Sequence, residues 1–185
     1  MKQLLFVGLG NPGDQYEFTR HNAGFLFVDY LANLLQTNFV EKKRWKADLA
    51  EPDKSVLLAK PQTFMNRSGQ SVQSIMAFYK IKPEDIFIAF DDLDLVHGSG
   101  KIQFGRGPKA HNGLNSVYQE IGTDTFWHVR IGVDARAGEK NIPPDKYVLQ
   151  TMTVEERATL QDTFRALKDN MISRDLVDHR ALRIQ

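Results

Sequence analysis

The chain contains no cysteine, which excludes disulfides, thiolate metal centres and a cysteine nucleophile. It also lacks a long hydrophobic run. No stretch approaches the ~20 apolar residues that span a bilayer, and the short apolar segment after Met1-Lys2-Gln3 meets glycine at Gly8, too soon for a secretory leader. Excess charge is missing as well: 24 Lys and Arg stand against 23 Asp and Glu, a net charge of +1. That is not the footprint of a strongly basic nucleic-acid binder, so any contact with a polyanion has to come from local clusters. Three such clusters exist: Lys42, Lys43, Arg44 and Lys46; Arg106 and Lys109 in a glycine-rich loop; and Arg174, Arg180 and Arg183 near the C-terminus. Taken alone, each reads as solvated surface. Repeats, low-complexity tracts and domain linkers are absent. What remains is 185 residues, 42% hydrophobic, enough for one globular domain over residues 1–185 with a sizeable core. The default compartment is the cytoplasm.

The organising stretch is the first one. Gln3-Leu4-Leu5-Phe6-Val7 is apolar and ends in Gly8-Leu9-Gly10-Asn11-Pro12-Gly13, a pattern that predicts a buried strand feeding a tight turn. Asn22 is placed to cap a helix carrying Phe25, Val28, Leu31, Ala32 and Leu35 on one face. Strands are expected near Thr37–Val40, Trp45–Ala50, Ser55–Ala59, Ile86–Phe90, Lys101–Phe104 and Phe126–Val133. Helices are expected after Asn66 or Ser68, from His111-Asn112-Gly113 to Gly122, from Thr153 to about Asn170 with Thr153 and Glu156 as a capping box, and from Ser173 to Arg183. Residues 105–110 and 134–145 read as loops. Strands alternating with helices give an α/β class with a partly parallel sheet.

Four polar constellations fall at predicted strand ends or helix starts: Asn11 with His21, Asn66, Asp91-Asp92-Leu93-Asp94, and His111-Asn112. If those ends share one edge of the sheet, their side chains converge on a single cleft. A histidine with a carboxylate supplies a general base and its orienting partner. Asparagines supply neutral donors and acceptors for a peptide-like group or an oxyanion. No G-x-S-x-G elbow is present and Ser99 sits in a bare Gly-Ser-Gly turn, which favours water as the nucleophile. Two motifs compete. Gly8, Gly10 and Gly13 match the dinucleotide fingerprint, but the helix that should begin within it starts only near Asn22. Asp92-Leu93-Asp94 resembles the D-x-D of Mg-dependent phosphotransferases, but lies mid-chain rather than at the opening of a domain. Judged singly, each histidine or asparagine is as well explained by packing, a turn or a cap.

As an ordered set, the segments resemble bacterial peptidyl-tRNA hydrolases. The resemblance is carried by Val7-Gly8-Leu9-Gly10-Asn11-Pro12-Gly13 with Tyr16, Thr19-Arg20-His21-Asn22-Ala23-Gly24, Lys60-Pro61-Gln62-Thr63-Phe64-Met65-Asn66-Arg67-Ser68-Gly69, Asp91-Asp92-Leu93-Asp94-Leu95, His111-Asn112-Gly113-Leu114 and Val129-Arg130-Ile131-Gly132. It implies a single three-layer α/β domain with a mixed, twisted sheet between helices, acting as a monomer without metal or cofactor and without a membrane partner. The implied reaction is hydrolysis of the ester joining a nascent peptide to the 3′ ribose of tRNA, recycling tRNA from stalled translation. By the same resemblance His21 is the general base and Asp91 its orienting carboxylate. Asn11 distinguishes blocked from free aminoacyl groups. Tyr16, Phe64, Asn66 and Asn112 contact the substrate, Met65 and His111 form the cleft wall, and Arg130 helps hold tRNA. One position departs: Gln103 stands where the family often has a base that grips the tRNA 5′ phosphate, leaving Arg106, Lys109 or Lys101 to supply the charge. A catalytically silent RNA-binding protein on the same fold is the alternative.

Overall fold

Four strands running in one direction form the centre of the sheet, and their carboxyl ends open on one edge. This arrangement comes from a computed structural model, which describes residues 3–178 apart from 106, 109, 137, 139 and 140, together with Leu182. The seven strands are β1 (Leu4–Gly8), β2 (Val40–Lys42), β3 (Ala47–Ala50), β4 (Val56–Pro61), β5 (Ile86–Val96), β6 (Gly100–Phe104) and β7 (Trp127–Asp134). Their spatial order is β2-β3-β4-β1-β5-β7-β6. β1 pairs in parallel with β4 and β5, and β5 with β7; β3 and β6 run against their neighbours, so the sheet is mixed.

Alternation along the central strands builds three layers. Leu4, Phe6, Val56, Leu58, Phe87 and Ala89 face the helices α1 (Ala23–Leu34) and α5 (Val154–Ser173). Leu5, Val7, Leu57, Ala59, Ile86 and Ile88 face α2 (Ser68–Tyr79) and α3 (Asn112–Ile121). A strand buried on both faces reads as a continuous apolar run, which is why Leu4–Val7 and Ile86–Phe90 stand out in the sequence.

Several local expectations change in the fold. β5 does not stop at Phe90. It stays paired with β7 through Asp92↔Gly132 and rejoins it at Val96↔Asp134 after an irregularity. Its continuation is set by backbone pairing with β7 rather than by hydrophobicity, so Asp91 lies within the strand. Asn22 and Ser68 do not cap: neither α1 nor α2 has a side-chain cap. The Asn22 amide bonds the Asn11 backbone instead, and Ser68 Oγ donates to the Met65 carbonyl. The Thr153–Glu156 capping box is present in both halves, and α5 runs on to Ser173. Residues 174–178 then form turns rather than a further helix, and Arg180 and Arg183 lie outside the described residues. The stretch expected as a loop to Asp145 holds a short α4 (Pro144–Val148). Pro144 at its first position already has helical φ and loses no needed donor there.

Gly24 is what allows α1 to sit directly on the sheet. A Cβ at this position would lie 2.3 Å from the Ala89 carbonyl oxygen and 2.6 Å from the Leu9 nitrogen, backbone atoms of β5 and of the turn after β1. Gly24→Ala must push α1 off the sheet. Overpacking of this kind costs about 1–3 kcal/mol, so the melting temperature should fall by several degrees, with His21, three residues upstream, shifted from its partner. An unchanged melt would show that the close approach carries no weight.

Candidate active site

The carboxyl edge of the sheet gathers segments far apart in sequence. The turn after β1 brings Asn11, and a 3-10 turn over Arg20–Asn22 brings His21 just before α1. β5 brings Asp91, and His111 precedes the first turn of α3. These line a cavity of about 820 Å³ with Asn112.

Asp91 is the hub. One carboxylate oxygen, Oδ1, accepts from His21 Nδ1 at 2.8 Å and from His111 Nε2 at 3.0 Å. A carboxylate only accepts, so His21 carries its proton on Nδ1 and leaves Nε2 with a lone pair. The tautomer of His111 is fixed by a second bond: its Nδ1 accepts the Leu114 N–H at 3.1 Å, so its proton sits on Nε2, aimed at Asp91. Burial pushes the Asp91 carboxyl up, but the two imidazoles outweigh it and hold the group well below the usual carboxylate range. Burial pushes His21 down, while the charge of Asp91 and its hydrogen bond raise it, leaving the imidazole above its ordinary value.

His21, Asp91 and His111 place ligating atoms within 4.8 Å of one another. They do not form a metal cage as arranged, because both His111 nitrogens and His21 Nδ1 are engaged in hydrogen bonds. The paired-carboxylate reading of Asp92 and Asp94 also meets an obstacle. Asp92 Oδ2 takes Arg130 Nε at 2.6 Å and Oδ1 takes the Asp94 N–H. The dinucleotide fingerprint leads into a 3-10 turn at Asp14–Tyr16, not into a helix N-terminus.

Asn11 is oriented with equal definition. Its N–H and carbonyl bond the two ends of the Asn22 amide, and its Oδ1 accepts the Met65 N–H at 2.9 Å. The amide hydrogens on Nδ2 are what Asn11 has left to offer a ligand.

The other sequence candidates fall in different places. Met65 is buried and acts on the site through its backbone. Phe64, 58% exposed, and the exposed Asn66 flank it. Tyr16 is half-buried in its 3-10 turn. None of these four is among the residues lining the cavity. Arg130 is also outside it, tied to Asp92 and within 3.4 Å of Gln103 Oε1. Lys101 stands opposite Arg130 in the β6–β7 register; Arg106 and Lys109 lie outside the described residues.

Sequence reasoning misses the apolar wall: Leu93 on the continued β5, and Ile142, Val148 and Leu149 around α4. It also misses Arg136, which lines the same cavity with two nitrogens on the Asp134 carboxylate and its guanidinium 4.7 Å from the Tyr147 ring. The one hint in the sequence is Pro144-Asp145, a helix-start pair inside an apparent loop.

The family model described as Peptidyl-tRNA hydrolase matches residues 5–180. A peptidyl-tRNA hydrolase of Neisseria meningitidis serogroup C (strain 053442) is 44% identical over 161 residues, covering 85% of this chain and 83% of its own. One from Variovorax paradoxus (strain S110) is 40% identical over 161 residues, covering 85% and 76%. The crystal structure of peptidyl-tRNA hydrolase from Acinetobacter baumannii superposes with a TM-score of 0.82 at 34% identity, covering 97% of this chain and 92% of that one.

Proposed function

The chain belongs to the peptidyl-tRNA hydrolase family and is a hydrolase of that kind, and from that premise we propose that its cleft cleaves the ester between an N-blocked aminoacyl group and the 3′ ribose of tRNA, with His21 as general base and Asp91 as its orienting partner. The observation that carries the assignment is the shared Asp91 oxygen, which fixes the proton on His21 Nδ1 and leaves Nε2 basic. Water loses a proton to Nε2 as its oxygen bonds the ester carbonyl carbon. The ester C–O bond then breaks, and the proton passes from the imidazolium to the departing ribose oxygen. Asp91 stabilises the imidazolium in between. α3 begins at the cleft, where the positive end of its dipole and the Asn112 side chain favour the developing oxyanion.

Asn11 supplies selectivity. Held by Met65 N–H, it presents a donor, and a peptidyl substrate answers with an amide carbonyl beside the ester. A free α-ammonium has no acceptor there and leaves Asn11 unpaired. Leu93, Ile142, Val148 and Leu149 give the peptide an apolar wall. Tyr16, Phe64 and Asn66 contact the 3′ end outside the cavity, and Arg130, with Lys101 beside it, faces the acceptor-stem phosphates. The domain acts as a monomer in the cytoplasm, in translation; no helix among the described residues is long and apolar enough to cross a membrane.

The test is release of N-acetyl-amino acid from N-acetyl-aminoacyl-tRNA with chelator present, against free aminoacyl-tRNA. Cleavage of the blocked ester alone is expected. Because His21 is raised by Asp91 and only its neutral form is a base, kcat/KM should climb with an acid-limb midpoint above the ordinary histidine value of about 6.5. Equal cleavage of both esters would remove the selectivity assigned to Asn11, and absence of cleavage in folded protein would leave a silent tRNA binder.

A further inference from the structure

The cluster Lys42, Lys43, Arg44 and Lys46 takes no part in the cleft. Among the described residues none of the four makes an ion pair. Lys43, Arg44 and Lys46 are exposed. They lie in a 3-10 turn between β2 and β3 and at its end, docked on α2 where the Lys46 carbonyl accepts Ser71 Oγ at 2.9 Å. The same carbonyl accepts the Gln62 N–H at 2.7 Å, which ties the turn to the loop leading to Phe64 and Met65.

Aromatic rings are interleaved with these charges. Trp45 and Phe78 have centroids 4.9 Å apart, and Phe78 meets Tyr79 at 5.1 Å. The Arg44 guanidinium lies 5.0 Å from the Phe78 ring, which is 48% exposed. Ser74 and Phe78 lie four residues apart on one side of α2, and Arg67 stands in the 3-10 turn just before that helix. Arg67 is exposed and also makes no ion pair among the described residues. From Ser68 to Phe78 the helix rises about 15 Å, so a stripe runs from the turn beside Asn66 to the Trp45–Phe78 pair.

The charges of β2 are divided between the two faces of the sheet. Lys42 pairs with Ala47, whose side chain joins the α2-side core. Glu41 pairs with Asp48, which pairs with Lys60, and Lys60 reaches Asp29 on α1. Glu41 and Asp48 are thus on the α1 side and Lys42 on the α2 side, where the nearby acid Glu51 accepts the Tyr79 hydroxyl at 2.9 Å. Lysines that merely keep an edge strand from pairing with another chain have no need of an exposed ring beside an arginine.

We infer that this cationic, aromatic stripe is a second nucleic-acid contact, which holds the sugar–phosphate backbone of the substrate's RNA outside the reacting end, with unpaired bases or riboses against Phe78 and Trp45. The inference rests on the tRNA substrate proposed above. Unpaired cations supply a salt-dependent, sequence-independent grip, and an exposed ring beside an arginine, here Phe78 next to Arg44, is what single-stranded segments stack on.

The experiment compares the protein with a Lys43→Ala/Arg44→Ala/Lys46→Ala/Arg67→Ala variant, shown to melt normally, on N-acetyl-aminoacyl-tRNA and on N-acetyl-aminoacyl-adenosine. KM for the tRNA substrate should rise about tenfold or more at low salt with kcat unchanged, and its dependence on log salt should flatten by roughly 0.7–0.9 for each phosphate that is no longer neutralised. Cleavage of the adenosine ester should not change. Binding is read independently of catalysis in Trp127→Phe protein, where Trp45 is the remaining tryptophan of the two in the chain: deacylated tRNA should quench its fluorescence. Quenching together with the KM shift supports the stripe. An unaltered KM and salt slope, or an unresponsive Trp45, overturns it and turns the surface over to an acidic protein. If the starting protein cleaves neither ester, the hydrolytic reading fails by itself, and the Trp45 titration still decides the stripe.

Discussion

Replacing His21 by alanine is expected to lower kcat for N-acetyl-aminoacyl-tRNA by roughly 10²–10⁴-fold, about 3–5 kcal/mol of barrier, with little change in KM or in the melting temperature. The reason lies in how the site is wired. His21 contributes the free ring nitrogen of the cluster, since His111 uses both of its own. The substrate-facing groups, Asn11 and the apolar wall, are held by other bonds and stay in place. Removal of the ring does not orphan the buried carboxylate either, because His111 continues to donate to Asp91 Oδ1. The loss should therefore appear in the chemical step. Intact turnover in this variant would withdraw the base assignment while leaving the family membership untouched.

Asp91→Asn carries the second large effect, and its diagnostic is a movement along the pH axis. An opposite charge about 4 Å from the imidazolium is worth about 4 kcal/mol at an effective dielectric of 20, so kcat should drop by about 10²–10³-fold. In the intact protein Asp91 raises His21 against the opposing influence of burial. With the carboxylate neutralised, burial acts alone and the imidazole loses its proton at lower pH. The acid limb of kcat/KM should then shift downward even as the plateau falls. A loosened fold would lower the plateau without moving the limb, so a stationary midpoint would count against Asp91 as the group that sets His21. Stability below pH 5 is a poor substitute readout, since every surface carboxylate titrates there.

Much of this arrangement is legible from residue order. Buried central strands advertise themselves because both of their faces are apolar, as with Leu4–Val7 and Ile86–Phe90, and the Thr153–Glu156 box marks the start of α5 by simple local chemistry. His21 and Asp91 are singled out because apolar runs lead toward them, although β5 continues past Asp91 and His21 sits in a separate 3-10 turn. Three things are not legible. The extension of β5 to Val96 depends on pairing with β7, a partner more than thirty residues away. The work of Asn22 is tertiary: as an apparent helix cap it looks complete in itself, yet its amide is spent on fixing Asn11. The wall around α4 hides behind Pro143 and Pro144, which read as a break in structure until the fold shows that one of them opens a helix. For β5 the deciding partner lies far away in sequence, and for Asn22 the deciding bond is to another turn rather than to its own helix; there local preference carries no information.

That distance has a temporal meaning at the seam beside the base. Arg20, the residue before His21, reaches the Gln150 carbonyl and the Glu156 carboxylate at 3.4 and 2.5 Å, across separations of 130 and 136 residues. The Thr19–Thr151 bridge and the Met152 N–H on the Phe18 carbonyl close the same seam. During synthesis His21 emerges early, but β1 must wait for β4 and β5 to pair, and the anchor for the backbone at His21 exists only after α4 and the first turn of α5 have been made. Contacts that close such long loops come late in folding. Activity that depends on His21 is therefore expected only once the chain has been made past Glu156, so a peptidyl-tRNA hydrolase still carried as a short growing peptide on tRNA should be inert.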